Sequence, residues 1–305
     1  MSEQKHLVLA LVAITASGIV GSVRADDAEI ELIGAVPSDD IPEASGLAPS
    51  LRQKDRLWII NDSGSPPVLH AIGTDASVHG AVTVNGVENV DWEDLAAFEA
   101  EGERYLMIGD IGDNGSLRDF VSLHIVPEPT SKLQRAVDVH RTLRFRYPDG
   151  PRDAEAIAVD AAEGLVYVLT KRNLPARLYA VPLDSETTTE PVTARHLGLI
   201  DSLPQPTANE RKNAPQLFWY WQPTAMDFSA DGSFARVLTY RGVYTYRRSK
   251  GESWLDALSR QPHETLLKDV LSESLCVTGD GTYVTVERRR PPLYRLAPPA
   301  ADRSR

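Results

Sequence analysis

Apolar residues occur along this chain in short runs bounded by turn residues, and their alternation with polar residues is typical of half-buried β-strands. The runs form a three-strand pattern that recurs five times. One apolar residue of the first strand aligns the repeats: Leu47, Leu95, Ile157, Met226 and Leu275. The third strand of each repeat has an apolar residue followed by His or Tyr, at residues 69–70, 123–124, 178–179, 243–244 and 293–294. Such a repeat predicts an architecture built from similar units.

The spacing and strand content of the repeats predict an all-β fold, a β-propeller. The aligned residues lie about 50 to 70 positions apart, a period that suits blades with variable loops. We expect five blades, with six blades as the alternative and a pair of β-sandwiches as the competing fold. Fourth strands are predicted at residues 78–84, 142–147, 195–200 and 264–268, and a short helix at residues 254–258. The fifth repeat lacks a fourth strand, so residues 30–36 are expected to supply it and close the ring.

Three segments divide the chain. Residues 1–25 have the basic start, apolar run and small-residue end of an export signal, with an uncleaved anchor as the alternative. Residues 26–297 are predicted to form a single propeller domain, and residues 298–305 a disordered tail. The apolar run is short for a bilayer span, so no stable membrane insertion is expected once the signal is removed. These features predict a periplasmic or secreted protein.

Composition narrows the range of partners. The chain has 305 residues, a formal net charge of −11 and one cysteine, Cys276. The acidic balance disfavours nucleic acid as a partner, and it favours cations or small anions held through a metal. A single cysteine forms no intramolecular disulfide, so stability must come from packing. Cys276 lies between Leu275 and Val277 and is expected to fill space in the core.

Acidic residues are densest between Asp91 and Asn114, and they recur before the aligned residues of other repeats. Because side chains alternate along a strand, residues two and four positions before the aligned residue point the same way. We expect these positions and the ends of the second strands to meet at one mouth of the central channel. The predicted ring of carboxylates faces Lys171, Arg172 and Arg241. Its members are Glu43, Asp91, Glu93, Asp153, Glu155 and Glu273 from the first strands, with Asp62, Asp110 and Glu287 from the ends of the second strands.

Carboxylates that crowd one mouth cannot all stay ionised without a counter-charge. A divalent cation would supply that charge, and ligands that are all oxygen favour calcium over zinc. Asp110, Asp113 and Asn114 are the first predicted metal ligands, with Glu93 and Asp91 next. The alternative is structural, because such residues are ordinary turn formers and often bind backbone amides or pair with arginine.

Aromatic residues at positions 218–221 immediately precede the first strand of the fourth repeat. Trp219 and Trp221 are predicted either to form a lid or stacking platform for substrate, or to pack between blades. The sequence contains no Gly-x-Ser-x-Gly elbow, no His-Glu-x-x-His helix and no glycine-rich phosphate loop after a strand. No organic cofactor is therefore expected.

The chain resembles exported bacterial β-propellers that are described as phytase-like with esterase-like activity. The resemblance rests on residues 91–96, 109–114, 153–157, 170–172 and 227–232, and it spans nearly all of the mature chain. It implies a calcium-bearing acidic channel that hydrolyses a phosphoester or a carboxylic ester. By this resemblance, Glu93, Asp110, Asp113 and Glu155 would hold metal, and Lys171, Arg172 and Arg241 would hold the anionic group. A weaker similarity to gluconolactonase-type propellers rests on Glu43 alone.

Two functions are therefore expected from the sequence. The first is an exported calcium-dependent hydrolase of a small anionic ester. In that function Glu155, Lys171, Arg172 and Arg241 are catalytic, and Trp219, Trp221, Glu43 and Glu273 bind substrate. The second is a non-catalytic propeller that carries a structural metal and binds an envelope ligand or protein.

Overall fold

The computed structural model describes residues 30–131, 134–185, 190–267 and 271–299. In chain order, the strands of the first half are β1 (Ile30–Ala35), β2 (Ala44–Pro49), β3 (Arg56–Asn61), β4 (Val68–Gly73), β5 (Val78–Asn85), β6 (Trp92–Ala100), β7 (Glu103–Asp110), β8 (Val121–Pro127), β9 (Ala136–Asp138) and β10 (Arg141–Arg146). The strands that follow are β11 (Ala154–Asp160), β12 (Leu165–Thr170), β13 (Ala176–Pro182), β14 (Val192–Thr193), β15 (Arg195–Ile200), β16 (Pro223–Phe228), β17 (Phe234–Thr239), β18 (Gly242–Arg247), β19 (His263–Leu266), β20 (Ser272–Thr278), β21 (Gly281–Val286) and β22 (Pro292–Leu296).

These strands form five sheets, which are the blades of a propeller. From the channel outward, the blades are β2-β3-β4-β5, β6-β7-β8-β10, β11-β12-β13-β15, β16-β17-β18-β19 and β20-β21-β22-β1. The inner strands β2, β6, β11, β16 and β20 contact one another in a closed ring. The prediction of five blades is confirmed, and six blades and paired sandwiches are excluded.

The N-terminal strand closes the ring as predicted. β1 pairs antiparallel with β22, so the first described strand is the outer strand of the last blade. The four predicted outer strands are also confirmed, as β5, β10, β15 and β19. The sheet of the fifth blade thus contains strands from both ends of the described chain, and β1 leads directly into the first blade. This pairing holds the first and fifth blades together without a disulfide, in a chain that has one cysteine.

Two short strands were not predicted. β9 leaves the second blade and pairs in parallel with β5 of the first, and β14 leaves the third blade and pairs in parallel with β10 of the second. Each connection therefore adds a short strand to the sheet of the preceding blade and covers part of its outer edge. Strands of three and two residues are too short to show an apolar period.

The core lies between the blades, in five clusters of buried apolar side chains. Between blades 2 and 3, for example, Phe98, Met107 and Leu123 pack with Ile157 and Val168. The inner strands are buried over most of their length, although each contains polar residues, whereas β5 alternates buried and exposed residues at its end.

Small residues let the inner strands approach closely around the channel axis. Immediately before the aligned apolar residue lie Gly46, Ala156, Ala225 and Ser274. A Cβ added at Gly46 would lie 2.6 Å from the backbone nitrogen of Leu95 in the next blade, a distance that only glycine permits. The fifth residue at this position is Asp94, which is fully buried.

Three helical segments complete the described structure: α1 (Ala208–Asn213), a 3-10 helix (Pro215–Trp221) and α2 (Trp254–Leu258). α2 confirms the predicted helix, and the capping box that starts α1 at Thr207 was not predicted. None of the helices in the described ranges has the length and apolar character needed to span a bilayer. The predicted signal at residues 1–25 and residues 300–305 of the predicted tail lie outside the described residues.

Candidate functional site

A β-bulge interrupts every inner strand at the same position near its first residue. At each bulge the pairing with the second strand skips one residue, and the skipped residues are Ser45, Glu93, Glu155, Thr224 and Glu273. A bulge leaves its extra residue unpaired and re-aims its side chain. The five bulges therefore gather three carboxylates and two hydroxyls at one end of the channel, where all five residues are buried.

Lys171 lies at the centre of a buried polar chain in this mouth. Its Nζ atom forms an ion pair with Glu155, lies 4.0 Å from Oε1 of Glu273 and donates a hydrogen bond to the hydroxyl of Tyr240 at 2.9 Å. The Tyr240 hydroxyl donates in turn to Glu273 at 2.5 Å. Blades 3, 4 and 5 are thereby joined through one ammonium group and one phenol.

Five carboxylates form two overlapping groups on the other side of the mouth. Asp62, Asp91 and Glu93 form one group, and Glu93, Asp153 and Glu155 form the other, with the ligand oxygens of each group within 4.8 Å of one another. The second group already has cations, because Asp153 pairs with Arg172 at 2.6 Å and Glu155 pairs with Lys171. Glu93 belongs to both groups.

Asp91 and Glu93 are the carboxylates of the mouth that lack such a partner. Among the described residues, no Lys or Arg nitrogen lies within 4.0 Å of either carboxylate, and the Ser45 hydroxyl at 3.4 Å is the hydrogen-bond partner recorded for the Glu93 side chain. Burial and repulsion from Asp62 raise the pKa of Asp91 to about 6. Burial raises the pKa of Glu93 well above its ordinary value, and the charges of Glu155 and Asp62 add to the rise.

Gly112 makes room for these two side chains. Its amide donates to the carbonyl of Asp91 at 3.2 Å, as the amide of Lys171 does to Asp153 in the next blade. A Cβ at Gly112 would lie 2.3 Å from Oε1 of Glu93 and 2.4 Å from Oδ2 of Asp91. The side chains of Asp91 and Glu93 therefore occupy the space that a side chain at this position would need.

One ammonium group faces two buried carboxylates on the Lys171 side. Burial opposes the charge of Lys171, but Glu155 and Glu273 outweigh it and raise the pKa of the lysine well above its ordinary range. Burial raises the pKa of Glu155 to about 7 and that of Glu273 well above normal, although Lys171 lowers both. The mouth thus holds more negative charge than its own cations neutralise.

The predicted metal ligands Asp110, Asp113 and Asn114 do not join either carboxylate group. Asp110 pairs with Arg118 at 2.8 Å and with His124 at 3.7 Å; burial opposes its ionisation, but these partners outweigh burial and lower its pKa. Asp113 accepts two backbone amides of its own loop, from Leu117 and Arg118, each at 2.8 Å. Asp110 therefore acts as an arginine partner and Asp113 as a turn former, which are the two structural roles named above as the alternative to metal binding.

Asn114 and the other two predicted basic residues, Arg172 and Arg241, lie outside the Lys171 chain. Arg172 hydrogen-bonds to Asn114 and pairs with Asp153, with its side chain partly exposed. Arg241 pairs with Glu264 of the outer strand β19 at 3.1 Å, so its guanidinium is held away from Lys171. Arg172 can meet an anion that approaches the mouth, whereas Arg241 is engaged at the periphery.

The aromatic segment divides between the two predicted roles. Trp219 stands edge-on against Tyr240 with ring centroids 4.9 Å apart, so it borders the Lys171 chain. Trp221 is buried and packs edge-on against Tyr220, which is the packing alternative rather than a substrate platform. Glu43 is half-buried in the first blade, and its carbonyl accepts the amide of Asp62 at 2.9 Å.

Sequence reasoning missed Tyr240 and gave Asp62 only a minor place. Tyr240 directly follows Thr239, the residue that pairs with the first residue of its inner strand, and Lys171 directly follows Thr170 in the same relation. The predicted second-strand ends place Asp62 and Lys171 at this position, but they have Arg241 in place of Tyr240, one residue late, and Asp110 one residue early. In a strand, a slip of one residue turns the side chain to the other face, and this explains both misplacements.

Together, the fold and this arrangement define an all-β, five-bladed propeller with a buried acidic site at one end of its channel. The donor set of Asp62, Asp91 and Glu93 consists of carboxylate oxygens alone and could hold a metal ion. No protein-family model and no curated protein matches the sequence.

Solved structures resemble the chain at low identity. The major Malassezia sympodialis allergen Mala s 1 has 12% identity and a TM-score of 0.54, over 87% of this chain and 95% of that one. A gluconolactonase from Xanthomonas campestris has 13% identity and a TM-score of 0.46, over 90% of each chain. A luciferin-regenerating enzyme has 10% identity and a TM-score of 0.44, over 89% of this chain and 96% of that one. At these identities the similarity concerns the fold alone.

Proposed function

We propose that the protein is a calcium-dependent hydrolase that cleaves a small ester or phosphoester at the acidic channel mouth. The observation that carries this proposal is that two features lie side by side at the acidic mouth of the channel. Asp91 and Glu93 lack a cationic partner among the described residues, and they lie beside the buried chain of Lys171, Tyr240 and Glu273. One feature needs a cation, and the other places the positive charge of Lys171 beside it.

Asp62, Asp91 and Glu93 are the residues that would hold calcium. When bound, the cation supplies Lewis-acid polarisation of a substrate oxygen and lowers the pKa of water in the site. Gly112 keeps the space between these carboxylates free of side chain, and Ser45 orients Glu93 by a hydrogen bond. Asp110, Asp113 and Asn114 would then support the loop rather than contact the ion.

The chain's own groups account for the rest of the chemistry. Lys171 presents a positive charge that would bind the anionic oxygen of the ester and stabilise negative charge as it develops on that oxygen. Arg172 would draw the anion toward the mouth from the partly exposed edge. Glu155, which lies between Glu93 and Lys171, is placed to accept a proton from the attacking water. Glu273 and Tyr240 hold the ammonium group in place.

A binding propeller without catalysis is the second candidate, and the aromatic segment favours it. Trp219 stands beside the mouth and the neighbouring Phe218 is exposed, so the segment could contact an apolar part of a ligand. In this function the metal is structural, and Lys171 serves only to neutralise buried carboxylates. The ligand would be a small anion or an envelope protein.

Metal content and turnover, measured together, test the proposal. We expect stoichiometric calcium in the wild type, its loss in an Asp91→Asn/Glu93→Gln variant, and its retention in Asp110→Asn/Asp113→Asn, which is the matched control. Hydrolysis of p-nitrophenyl acetate or p-nitrophenyl phosphate should require calcium and should fall about a hundredfold in Lys171→Gln. Calcium binding without turnover on any ester would favour the binding propeller. Absence of calcium would contradict both forms of the proposal.

Export is part of the proposal. The signal-like residues 1–25 support a periplasmic or secreted location. Millimolar calcium, which extracellular sites use, would be within reach there. Cell fractionation of the full chain with mass determination of its mature N-terminus would test this, since retention of residues 1–25 in the cytoplasm would contradict export.

A further inference from the structure

A second cavity lies at the opposite end of the propeller from the acidic mouth. It has a volume of about 740 Å³ and opens where the inner strands of blades 3 and 4 end, at Asp160 and Phe228. Small-molecule sites typically enclose 300 to 1,000 Å³, on the order of this volume. The proposed hydrolase uses none of its lining residues, although one stretch of the sequence that carries the family resemblance, residues 227–232, forms part of its wall.

Asp227 lies at the inner end of this cavity, half-buried and open to it. Its two carboxylate oxygens accept the backbone amides of Phe228 at 2.8 Å and of Val277, in the next blade, at 2.7 Å. Each oxygen retains a lone pair for a further donor. Within the described residues, no basic side chain forms an ion pair with Asp227. The carboxyl group is therefore rigidly held and still able to accept hydrogen bonds from a ligand.

The charges around the cavity favour a cation. Four acidic residues line the cavity against two basic ones, and the more buried base is already engaged. Arg248 pairs with Asp160 at 3.1 Å and with Glu163, and its Nε donates to the carbonyl of Glu252 at 2.7 Å. Lys250 is exposed. The hydroxyls of the adjacent turn lower the pKa of Asp231, so that residue adds a stable negative charge.

Aromatic rings form part of the remaining wall, together with small residues that include Ser229, Ser233 and Ser249. Phe228 stacks on Trp254 with centroids 3.7 Å apart and an interplanar angle of 7°, and the guanidinium of Arg248 lies 4.3 Å from the Trp254 ring centroid. The indole nitrogen of Trp254 donates to Asp160 at 2.8 Å. Phe98 lines the facing side. A ligand with a hydrocarbon or aromatic body could bury that body against these rings.

We propose that this cavity binds an organic cation, an amine with a short aromatic or hydrocarbon body, whose ammonium group hydrogen-bonds to Asp227. The carboxylate at the inner end provides the charge-assisted acceptor, the aromatic part of the wall receives the body, and the acidic balance excludes anions. Burial raises the pKa of Asp227 to about 7, and an ammonium group would favour its ionised form. This site is independent of the proposed hydrolase.

Titration calorimetry with three probes of similar shape tests the proposal: 2-phenylethylamine, 2-phenylethanol and 3-phenylpropanoate. The amine should bind wild-type protein with a Kd at least about tenfold lower than that of the neutral or the anionic probe. The amine's advantage should disappear in Asp227→Asn and persist in Asp55→Asn, the matched control, which lies in an exposed turn outside the lining residues.

A second variant covers the case in which Asp227→Asn does not fold. Lys250→Glu changes an exposed residue at the cavity wall, and it should lower the Kd of the amine by about threefold at low salt. Equal binding of the amine and the alcohol, no amine binding at millimolar concentration, unchanged affinity in Asp227→Asn, or no gain in Lys250→Glu would each overturn the proposal.

Discussion

The carboxylate of Asp94 in blade 2 accepts the backbone amide of Ile157 in blade 3 at 2.8 Å. The same oxygen lies 3.4 Å from the amide nitrogen of Met226 in blade 4, and the other oxygen accepts the amide of Leu95 at 2.9 Å. Inner strands expose unpaired amides to the channel because they have no further neighbour in their sheet. One buried side chain satisfies such amides from three blades, directly below Glu93 and Glu155.

Replacement of Asp94 should therefore destabilise the propeller as a whole. Asn offers one oxygen in place of two and presents an NH₂ group to a backbone donor, so we expect Asp94→Asn to lower the free energy of unfolding by about 1 to 3 kcal/mol. Urea denaturation followed by tryptophan fluorescence measures this change. Asp55→Asn, in an exposed turn, is the control and should stay within about 0.5 kcal/mol of wild type.

Removal of a carboxylate charge from the mouth should stabilise the protein without calcium and should reduce the stabilisation that calcium gives. Without calcium, Glu93→Gln should be more stable than wild type, because burial and the charges of Glu155 and Asp62 raise the pKa of Glu93 and the glutamine carries no charge. With calcium at a hundred times its Kd, wild type should gain about 2.7 kcal/mol and the variant much less. Thermal unfolding with and without calcium measures both. A variant that is less stable in both conditions would show that Glu93 is not held against charge repulsion.

Lys171 should be more important to stability than a surface lysine. In Lys171→Met, the buried carboxylates of Glu155 and Glu273 lose their cation, and we expect a loss of about 3 to 5 kcal/mol. A double variant, Lys171→Met/Glu155→Gln, should recover part of that loss because one uncompensated charge is removed. A double-mutant cycle in urea measures the coupling. If the stability changes of Lys171→Met and Glu155→Gln simply add in the double variant, the two residues of the ion pair are not coupled.

The number of blades and the closing strand were predictable because the alternation of apolar and polar residues is visible within each strand. The same pattern recurs in five repeats, so each repeat supports the assignment of the others. The positions two before the aligned residues, including Glu93, Glu155 and Glu273, were also predictable from that alignment. Their convergence depends on bulges, which leave no mark in a residue pattern. The pairing of Asp110 with Arg118 depends on the path of a loop, and Tyr240 was missed by a one-residue slip at a strand end.

Asp227 should make stability depend on pH between about 4 and 7. Its ordinary pKa is 3.8, and burial raises the pKa in the folded protein to about 7. Between these values the folded state holds a proton that the unfolded state has released, so stability falls as the pH rises and the loss is complete above about pH 7. The buried groups on which the charge of Asp227 acts are Cys276 and Asp94. Unfolding free energies at pH 5 and pH 8 should differ less in Asp227→Asn than in wild type; an equal difference would mean that Asp227 does not titrate in this range.

Gly112 offers a way to separate metal binding from folding. A methyl group at this position would meet the carboxylate ends of Glu93 and Asp91 at 2.3 and 2.4 Å, and both are side-chain tips that can rotate away. Gly112→Ala should therefore lower calcium affinity by about tenfold or more, because the ligand oxygens can no longer converge, while apo stability changes by about 1 kcal/mol or less. Gly115→Ala in the same loop is the control, since its nearest contacts are with Leu117. Calorimetric calcium titration of the two variants decides the matter: equal affinities would place the cation away from Asp91 and Glu93, and a loss confined to Gly112→Ala would assign it to them.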